Sequence, residues 1–267
     1  MDQRAKQLAD KALKELAESL DQGHSQALTA YLKTMAKFHH YSWFNAMLIW
    51  LQRPDATRVA GFRRWQQLGR CVKQGEKGVM ILAPCTYRRR PIAGESKEEE
   101  DQSKATIFTT AWVFDFKQTE GQPLAAIGER YGDPGIYARR LAECAETLGI
   151  KVSLVDDLGG AHGRSRGGII EVLQGLAPAD RFAVMAHELA HEILHQGENK
   201  GKKPKIVRET EAEAVAFVIA SAVGLDNGTA ARDYIHLYQS DSKLLMESLA
   251  SIQKASSLIL KEILDHS

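Results

Sequence analysis

The sequence predicts an α+β fold divided into two domains, residues 1–125 and 126–267. Three observations lead to this prediction. Amphipathic helical patterns begin the chain and are followed by apolar runs with the composition of strands. Turn-forming residues at 120–123 and 131–135 interrupt the middle of the chain. Short strands then lead into a helix that carries two histidines, and only helical patterns follow it. We therefore expect a second domain that is mostly helical and contains a small sheet.

The first domain is predicted to contain three helices and two strands. Apolar residues recur at helical spacing in three segments, and Arg53-Pro54-Asp55 ends the third of them. Two later apolar runs have strand composition, and a polar loop at 87–104 joins them. The predicted elements are the helices 3–20, 25–38 and 42–51 and the strands 79–82 and 107–116.

The second domain is predicted to begin with a helix that Asp133-Pro134 caps and Gly149 ends. A glycine-rich stretch then separates two short strands. The second strand has two interpretations, because it either holds an extended peptide by main-chain pairing or is an ordinary strand of the sheet. The predicted elements are the strands 150–155 and 169–173, the helix 179–196, a helix around Glu211, and the helices 229–238 and 242–264.

Composition and cysteine usage indicate a cytoplasmic globular protein. The chain has 267 residues, of which 44% are hydrophobic and 26% are charged, which is ordinary for a soluble domain. Cys71, Cys85 and Cys144 form neither a CxxC motif nor an even disulfide framework, and a small buried thiol is the default interpretation of each. We see no signal peptide and no apolar run long enough to span a bilayer. Cytoplasmic localisation without a membrane partner is therefore expected.

His187-Glu188-Leu189-Ala190-His191 is the most informative motif. Two imidazoles four residues apart lie on one face of a helix, so both can bind a single metal ion. Nitrogen ligands at this spacing suit tetrahedral zinc, which makes Zn²⁺ the expected cofactor. Glu188 is the candidate catalytic residue, because it can take a proton from a metal-bound water whose pKa zinc lowers to about 7. The alternative is a surface helix that carries these residues by chance.

A third ligand is expected from the helix that follows, where Glu209, Glu211 and Glu213 compete. Glu211 lies at helical spacing from Ala214, Phe217, Val218 and Ala222, so we expect it to face the core and to bind the metal with His187 and His191. Glu213 is the alternative, and Glu209 or Glu213 can instead support a ligand imidazole. His195 is too far along its helix to share the metal, since eight residues span about 12 Å. The dipole at the helix end explains His195 instead.

Rings and cations are interleaved in the first domain. Between Arg53 and Ile92 there are ten basic residues and two acidic ones, a local net charge of +8 in a chain whose total is +1. Such combinations hold single-stranded nucleic acid, because bases stack on rings while cations follow the phosphates. Core packing is the alternative for Phe44, Trp50 and Phe62, and a solvated charged face is the alternative for the cations.

With these residues in view, the chain resembles the ArdC-type antirestriction proteins of plasmids and other mobile elements. In the second half the resemblance is to the zincin-like metallopeptidase domain of ImmA/IrrE-type proteins, in which E-x-E-A-x-x-F follows the HExxH helix. In the first half it rests on several blocks that occur in order. They are Tyr41-Ser42 with Asn45, Val59 to Phe62 with Trp65, Leu68-Gly69-Arg70, Gly75 to Gly78, Val113 to Asp115 and Gln118 to Gly121.

The resemblance implies an N-terminal domain that binds single-stranded DNA and a C-terminal domain that binds zinc. Alignment on Phe217 places the family's glutamate ligand at Glu211, whereas Val215 departs from an asparagine that is common in the family. The implied role is to shield incoming DNA from host restriction enzymes. Together with the basic and aromatic pattern, the resemblance gives the candidate DNA contacts. They are Tyr41, Asn45, Arg58, Arg63, Arg64, Trp65, Lys73 and Lys77.

Three functions remain open on the sequence. The chain is either an antirestriction protein whose metal domain is structural, regulatory or weakly proteolytic, or an active metallopeptidase that cleaves a host regulator or restriction component. The third is an interaction module in which neither site works. The expected partners are single-stranded DNA and, in the second case, a host protein. Tyr234, Tyr238 and His162 are candidate oxyanion partners among which the spacing does not choose.

Overall fold

The structure is a computed structural model that describes residues 3–21, 26–88, 104–123, 132–199, 201–225 and 242–265. The chain forms two compact units, and both combine helices with small sheets. Unit 1 contains Met1–Ala12 and Met47–Pro123, and unit 2 contains Leu13–Ala46 and Leu124–Ser267. Residues 13–46 therefore pack with the C-terminal half of the chain. The domain boundary at residue 125, which assigned them to the first domain, stays a prediction. No described helix has the length and apolarity needed to cross a membrane.

The helices fall close to the predicted segments, and the described part of the chain also contains a short one after the first strand. The predicted helix 229–238, with Tyr234 and Tyr238, lies outside the described residues. The helices are α1 (Gln3–Asp21), α2 (Gln26–Lys37), α3 (Trp43–Gln52), α4 (Phe62–Gln67), α5 (Ile136–Thr147), α6 (Pro178–His195), α7 (Lys205–Ala222) and α8 (Ser242–Leu264).

The strands form three small sheets. Those predicted at 79–82 and 107–116 are both longer than expected and pair with each other as a hairpin. Most of the loop predicted between them, residues 89–103, lies outside the described residues. The strands are β1 (Val59–Gly61), β2 (Arg70–Val72), β3 (Val79–Arg88), β4 (Lys104–Asp115), β5 (Thr119–Gly121), β6 (Lys151–Val155), β7 (Gly163–Ser165) and β8 (Ile169–Leu173).

Unit 1 is built on an antiparallel sheet in the order β1-β4-β3, with β2 and β5 forming a separate pair. Buried Asp115 ends β4 and accepts hydrogen bonds from the backbone amides of Thr57, Arg58 and Lys117. This single carboxylate fixes the segment that leads into β1 and the turn that follows β4. Arg70 is buried as well, and its guanidinium lies 4.2 Å from the ring centre of Phe116.

Unit 2 is organised around α7, which packs against α2, α6 and α8. Residues from Ala214 to Ala220 in this helix are all buried, so it has no wide solvent-exposed face in its second half. The sheet of this unit has the order β6-β8-β7, in which β8 pairs with β6 in parallel and with β7 in antiparallel orientation. Because β8 is the central strand, neither of its edges is free for a peptide. The interpretation of 169–173 as an ordinary sheet strand is therefore the correct one.

The cysteines differ from one another in exposure. Cys144 in α5 is buried, as expected, and burial together with the charge of Glu262 raises the pKa of its thiol to about 11. Cys71 and Cys85 are exposed, which corrects the default expectation of a buried thiol. Both lie on strands of unit 1, where alternate side chains point away from the core.

Candidate metal centre and nucleic-acid face

Helix α6 carries the HExxH motif. It begins with Pro178, whose fixed φ suits the first helical position, and Ala177 is the N-cap. Asp180 lies in the first turn, where a negative charge interacts favourably with the helix dipole. Phe182, Met185 and Leu189 are buried, and this apolar stripe fixes the rotation of the helix about its axis.

His187, His191 and Glu209 bring one ligand atom each to a common point. Nε2 of His187 lies 3.1 Å from Nε2 of His191, and Oε2 of Glu209 lies 3.5 Å and 3.3 Å from these two atoms. Ligand atoms about 2.1 Å from a tetrahedral zinc ion are about 3.4 Å from one another. The three measured separations therefore match those of three ligands around one metal ion. Helix α6 supplies two of these ligands and α7 supplies the third.

Glu209 thus takes the place that was predicted for Glu211. The Glu211 carboxylate is 0% exposed and faces the opposite way, where Oε1 accepts a hydrogen bond from Nζ of Lys203 at 2.5 Å. Oε2 of Glu211 lies 3.6 Å from Nε2 of His195. Two residues turn an α-helix by about 200°, so Glu209 and Glu211 cannot point to the same site. Glu211 does face the core as expected, but the candidate metal centre lies on the other side of α7.

Glu213, one turn beyond Glu209, contacts the outer nitrogen of the first histidine. Its Oε2 lies 3.2 Å from Nδ1 of His187. A carboxylate in this position fixes the tautomer and orientation of a ligand imidazole and leaves Nε2 for the metal. Burial on its own lowers the pKa of His187, but the hydrogen bond with Glu213 and the charges of Glu188, Glu213 and Glu209 outweigh it and raise that pKa. Burial and the charge of His187 lower the pKa of His191.

Glu188 lies beside this cluster and packs against β7. Burial raises the pKa of its carboxyl group, the charge of His187 lowers it, and the charges of Glu209 and Glu192 raise it. A Cβ atom added at Gly163 would lie 2.8 Å from Oε1 of Glu188 and 2.5 Å from a methyl group of Val184. Only glycine therefore allows β7 to approach the helix this closely. The result is a buried carboxylate that lines the same cleft as His187.

Glu192 anchors the loop between β7 and β8. Its carboxylate accepts hydrogen bonds from Oγ of Ser165 at 2.5 Å and from the backbone amides of Gly167 and Gly168 at 2.8 Å and 2.7 Å. This residue was not identified from the sequence. The signal was present in the glycine-rich stretch 159–168, because backbone amides of a loop that packs against a helix need acceptors where water is excluded.

A cleft of about 770 Å³ lies in front of the candidate metal centre. His187, Glu188 and Glu213 form its polar wall, and Val184 and Phe217 contribute to its apolar wall. His162, one of the three oxyanion candidates, also lines this cleft. The cleft lies within unit 2 and is large enough for a few residues of an extended chain.

The candidate DNA contacts differ in burial and in the unit to which they belong. Trp65 is buried, and its indole nitrogen donates to the carbonyl oxygen of Phe114, so this ring cannot stack on a base. Asn45 is also buried, and Tyr41 is half-buried with its ring edge against Phe38. Both residues belong to unit 2, whereas the basic candidates belong to unit 1. The eight candidates are therefore divided between the two units.

The basic candidates of unit 1 are mostly accessible. Arg63, Arg64, Lys73 and Lys77 are exposed, and Arg58 is half-buried. Arg63 and Arg64 lie in α4, directly after Phe62, and Arg64 donates to Oε1 of the Gln67 side chain. Among the described residues no carboxylate forms an ion pair with Arg63 or Arg64. These two cations are thus available to an anionic partner.

Exposed aromatic rings of α4 and β4 lie in the same unit as these arginines. They were not predicted from the sequence as DNA contacts. Phe62 is 49% exposed and Trp112 is 51% exposed. The ring centres of Phe62 and Phe114 are 6.5 Å apart, and Trp112 and Phe114 both lie beside Gly78. Phe108 is exposed and has the same parity along β4, so it lies on the same face of the strand. We call Phe62, Phe108, Trp112 and Phe114 the aromatic face.

Comparison with known proteins places both halves of the chain. Residues 2–114 match the family model of the N-terminal domain of the anti-restriction factor ArdC, and residues 145–252 match the IrrE N-terminal-like domain of the M78 peptidases. The chain has the ArdC-type architecture. In this ArdC-type chain the first match includes α4 and all four residues of the aromatic face, and the second includes His187, His191 and Glu209.

Solved structures share the fold of this ArdC-type chain. The Mn(II)-bound crystal structure of the antirestriction ArdC protein from plasmid R388 superposes with a TM-score of 0.59 at 17% identity, over 97% of this chain and 99% of that chain. The metal-free structure of the same protein gives a TM-score of 0.52 at 18% identity, over 84% and 85% of the two chains. The ArdC-type match therefore extends over both units.

One curated protein is also similar in sequence to this chain. It is an uncharacterized protein, pXO2-81, of Bacillus anthracis, with 23% identity over 93% of this chain. The match covers 49% of that protein, so the chain spans about half the length of its relative.

Proposed function

We propose that this ArdC-type chain is an antirestriction protein that binds single-stranded DNA through unit 1, binds zinc in unit 2, and protects incoming DNA from host restriction. The observation that carries the proposal for DNA is the aromatic face beside Arg63 and Arg64. It is supported by the ArdC N-terminal family match. Protection of DNA that arrives as a single strand then follows from covering that strand before it becomes a restriction substrate.

The chemistry of the aromatic face suits unpaired bases. Phe62 and Trp112 expose about half of their surface, so an unpaired base can reach both rings. A base that stacks on such a ring contributes about 1–3 kcal/mol. Duplex DNA keeps its bases stacked on one another and offers no free faces. The rings therefore favour a single strand over a duplex.

The test is fluorescence anisotropy of a labelled single-stranded oligonucleotide. Phe62→Ala and Trp112→Ala are each expected to weaken binding by about 5- to 150-fold, which corresponds to the loss of one stacked base. Ile206→Ala is a matched control, because Ile206 is an equally exposed apolar residue on α7 in unit 2. Unchanged affinity in both aromatic variants, or tighter binding to duplex than to single strands, would disprove the proposed interface.

Arg63 and Arg64 are expected to contribute through phosphates. For single strands the logarithm of the binding constant falls with the logarithm of salt concentration by about 0.7 per neutralised phosphate. Arg63→Ala combined with Arg64→Ala should therefore reduce this slope by up to about 1.4. The aromatic variants should leave the slope unchanged, because stacking releases no counterions.

For the metal we propose zinc, with His187, His191 and Glu209 as ligands and Glu213 as the support of His187. Two imidazoles and one carboxylate form the ligand set of catalytic zinc sites that keep a fourth position open. The Mn(II)-bound ArdC structure and the M78 family match support a divalent cation in this fold. Bound zinc would supply a polarised water at this position. Glu188 would then hold the proton that this water loses.

A second candidate function is peptide hydrolysis directed at a host regulator or restriction component. The buried carboxylate of Glu188 beside the metal cluster and the cleft in front of it favour this candidate. Glu188→Gln removes the proton acceptor and keeps both imidazoles and the shape of the side chain. The measurement is transfer of unmodified DNA into a restricting host, with zinc content determined in parallel.

The two functions predict different outcomes for this variant. If DNA binding protects, Glu188→Gln protects as well as the parent, and Phe62→Ala combined with Trp112→Ala does not. If hydrolysis protects, Glu188→Gln fails while it retains zinc and binds single strands normally. The same protein preparations therefore separate the candidates.

A further inference from the structure

A second cluster of metal-binding side chains lies in unit 2 and shares no residue with the HExxH centre. His39 and His40 occupy the turn between α2 and α3, and Asp265 follows the end of α8. One potential ligand atom from each of these residues lies within 4.8 Å of the others. The two imidazole ring centres are 3.9 Å apart, and Nε2 of His40 is 3.9 Å from a carboxylate oxygen of Asp265.

His39 is the informative member of this cluster, because one of its nitrogens is buried without a partner. The residue is only 8% exposed. Nδ1 lies 3.3 Å from the carbonyl oxygen of Ala36 and donates to it, since a carbonyl can only accept. In the neutral ring Nε2 then carries a lone pair, yet it has no hydrogen-bond partner among the described residues. Buried polar atoms without a partner are rare, and each needs an explanation such as a missing ion.

The hydrogen bond of His39 leaves one ring nitrogen free for a ligand role. Because Nδ1 faces the carbonyl oxygen of Ala36, Nε2 is the ring atom that can bind a metal ion. An imidazole whose Nδ1 proton is held by a backbone carbonyl is the usual arrangement of a histidine that binds metal through Nε2.

The backbone around the cluster is held in place independently of any ion. Nε2 of Gln253 donates to the carbonyl oxygens of His39 and Tyr41 at 3.1 Å and 2.8 Å. Oγ of Ser257 also donates to the carbonyl oxygen of His39. Both donors belong to α8, the helix that leads to Asp265. The turn and the helix end are therefore already positioned against each other, which lowers the ordering cost of binding an ion.

We propose that His39, His40 and Asp265 form a second divalent-metal site, with His39 binding through Nε2. Two imidazole nitrogens and a carboxylate suit zinc among the common divalent cations, whereas Mg²⁺ and Ca²⁺ prefer oxygen. His40 and Asp265 are exposed, so water can complete the coordination. An ion here would tie the turn after α2 to the end of α8.

The test counts zinc in the purified full chain after dialysis against zinc and then against buffer, by mass spectrometry of the metal. The parent protein is expected to hold two zinc ions per chain. His187→Ala with His191→Ala should hold one, and adding His40→Gln with Asp265→Asn should leave none. His40 and Asp265 are exposed, so these substitutions preserve the fold, which circular dichroism checks. Lys243→Gln with Glu247→Gln, an exposed pair on α8, is the control and should keep both ions.

The outcomes separate the two sites. One ion in the parent and none in the His187 and His191 variant would mean that the second site does not exist. A residual ion that survives His40→Gln with Asp265→Asn would mean that it lies elsewhere. A third outcome is that the parent and the His187 and His191 variant both hold one ion, which is lost when His40 and Asp265 are replaced. This outcome would support the second site and count against the HExxH centre. Failure of either site is therefore visible without failure of the other.

Discussion

Exchanging the glutamates of α7 one at a time tests the ligand set most directly. Glu209→Gln replaces the oxygen that lies 3.3 Å and 3.5 Å from the two imidazole nitrogens with a neutral amide. Glu213→Gln affects only the outer nitrogen of His187. Removing an outer partner of a ligand typically costs 10- to 100-fold in metal affinity. We therefore expect Glu213→Gln to weaken zinc binding by about 10- to 100-fold and Glu209→Gln to weaken it by more than about 100-fold, or about 2.7 kcal/mol.

Glu211→Gln is the matched control for this series, because it makes the same chemical change two residues from Glu209. Its carboxylate contacts Lys203 and His195 and is turned away from His187 and His191. We expect zinc affinity to change by less than threefold, or about 0.7 kcal/mol. The assay is competition with a chromophoric chelator at fixed pH, using the His40→Gln and Asp265→Asn background so that one site is measured. A large loss in Glu211→Gln with none in Glu209→Gln would refute the assignment and restore the ligand predicted from the sequence.

Three further predictions concern stability in unit 2. Lys203→Met removes the cation that pairs with the fully buried Glu211. Urea denaturation should show that the free energy of unfolding falls by about 2–3 kcal/mol. This loss is smaller than for a fully buried pair, because the Lys203 side chain is 30% exposed. For His195, burial first and the charges of His191 and Lys203 next lower the folded pKa to about 4, against 6.5 in the unfolded chain. Between these two pH values the folded state therefore binds fewer protons than the unfolded chain. With a chelator present, the free energy of unfolding of the parent should fall by up to about 1.4 kcal/mol for each pH unit between 6.5 and 4. The free energy of unfolding of His195→Gln should fall by less over the same range. Gly163→Ala forces a methyl group against Glu188 and Val184 and should cost about 1–3 kcal/mol in thermal unfolding, whereas an unchanged midpoint would show that β7 can move away.

The helix that carries the HExxH motif was predictable because its signal is local. The i,i+4 spacing of His187 and His191 places both rings on one face whatever surrounds the helix. The apolar stripe of Phe182, Met185 and Leu189 then fixes which face points inward. The α+β class and the position of most helices followed from the same kind of periodicity.

The position of Glu209 beside the two histidines was not predictable, because α7 is buried on almost all sides. The prediction of Glu211 assumed that a carboxylate ligand shares a face with the core residues Ala214 and Phe217. In a helix whose positions from Ala214 to Ala220 are all buried, apolar spacing identifies no particular face. Glu211 is instead a buried acid that Lys203 compensates, and Lys203 lies in the preceding loop, where no sequence pattern connects the two.

The burial of the rings near the aromatic face was not predictable for a different reason. Trp65 and Phe62 belong to one short segment, and their burial is the reverse of what was expected. The outcome depends on the pairing of β1 with β4, which puts the Trp65 indole against the carbonyl of Phe114. Such a contact joins residues 49 positions apart in the chain, so local composition cannot reveal it. Alternation along β4 could have identified Trp112 and Phe108 as rings on one face.

The central position of α7 would link metal supply to protein lifetime if the proposed site binds its cation. The helix that carries Glu209 also provides the apolar centre of unit 2. Binding energy at one end of this helix would therefore oppose opening of the residues that pack around the other end. Cells starved of the cation would clear this chain faster, since proteases act on opened molecules. The abundance of the chain would then follow the concentration of the cation.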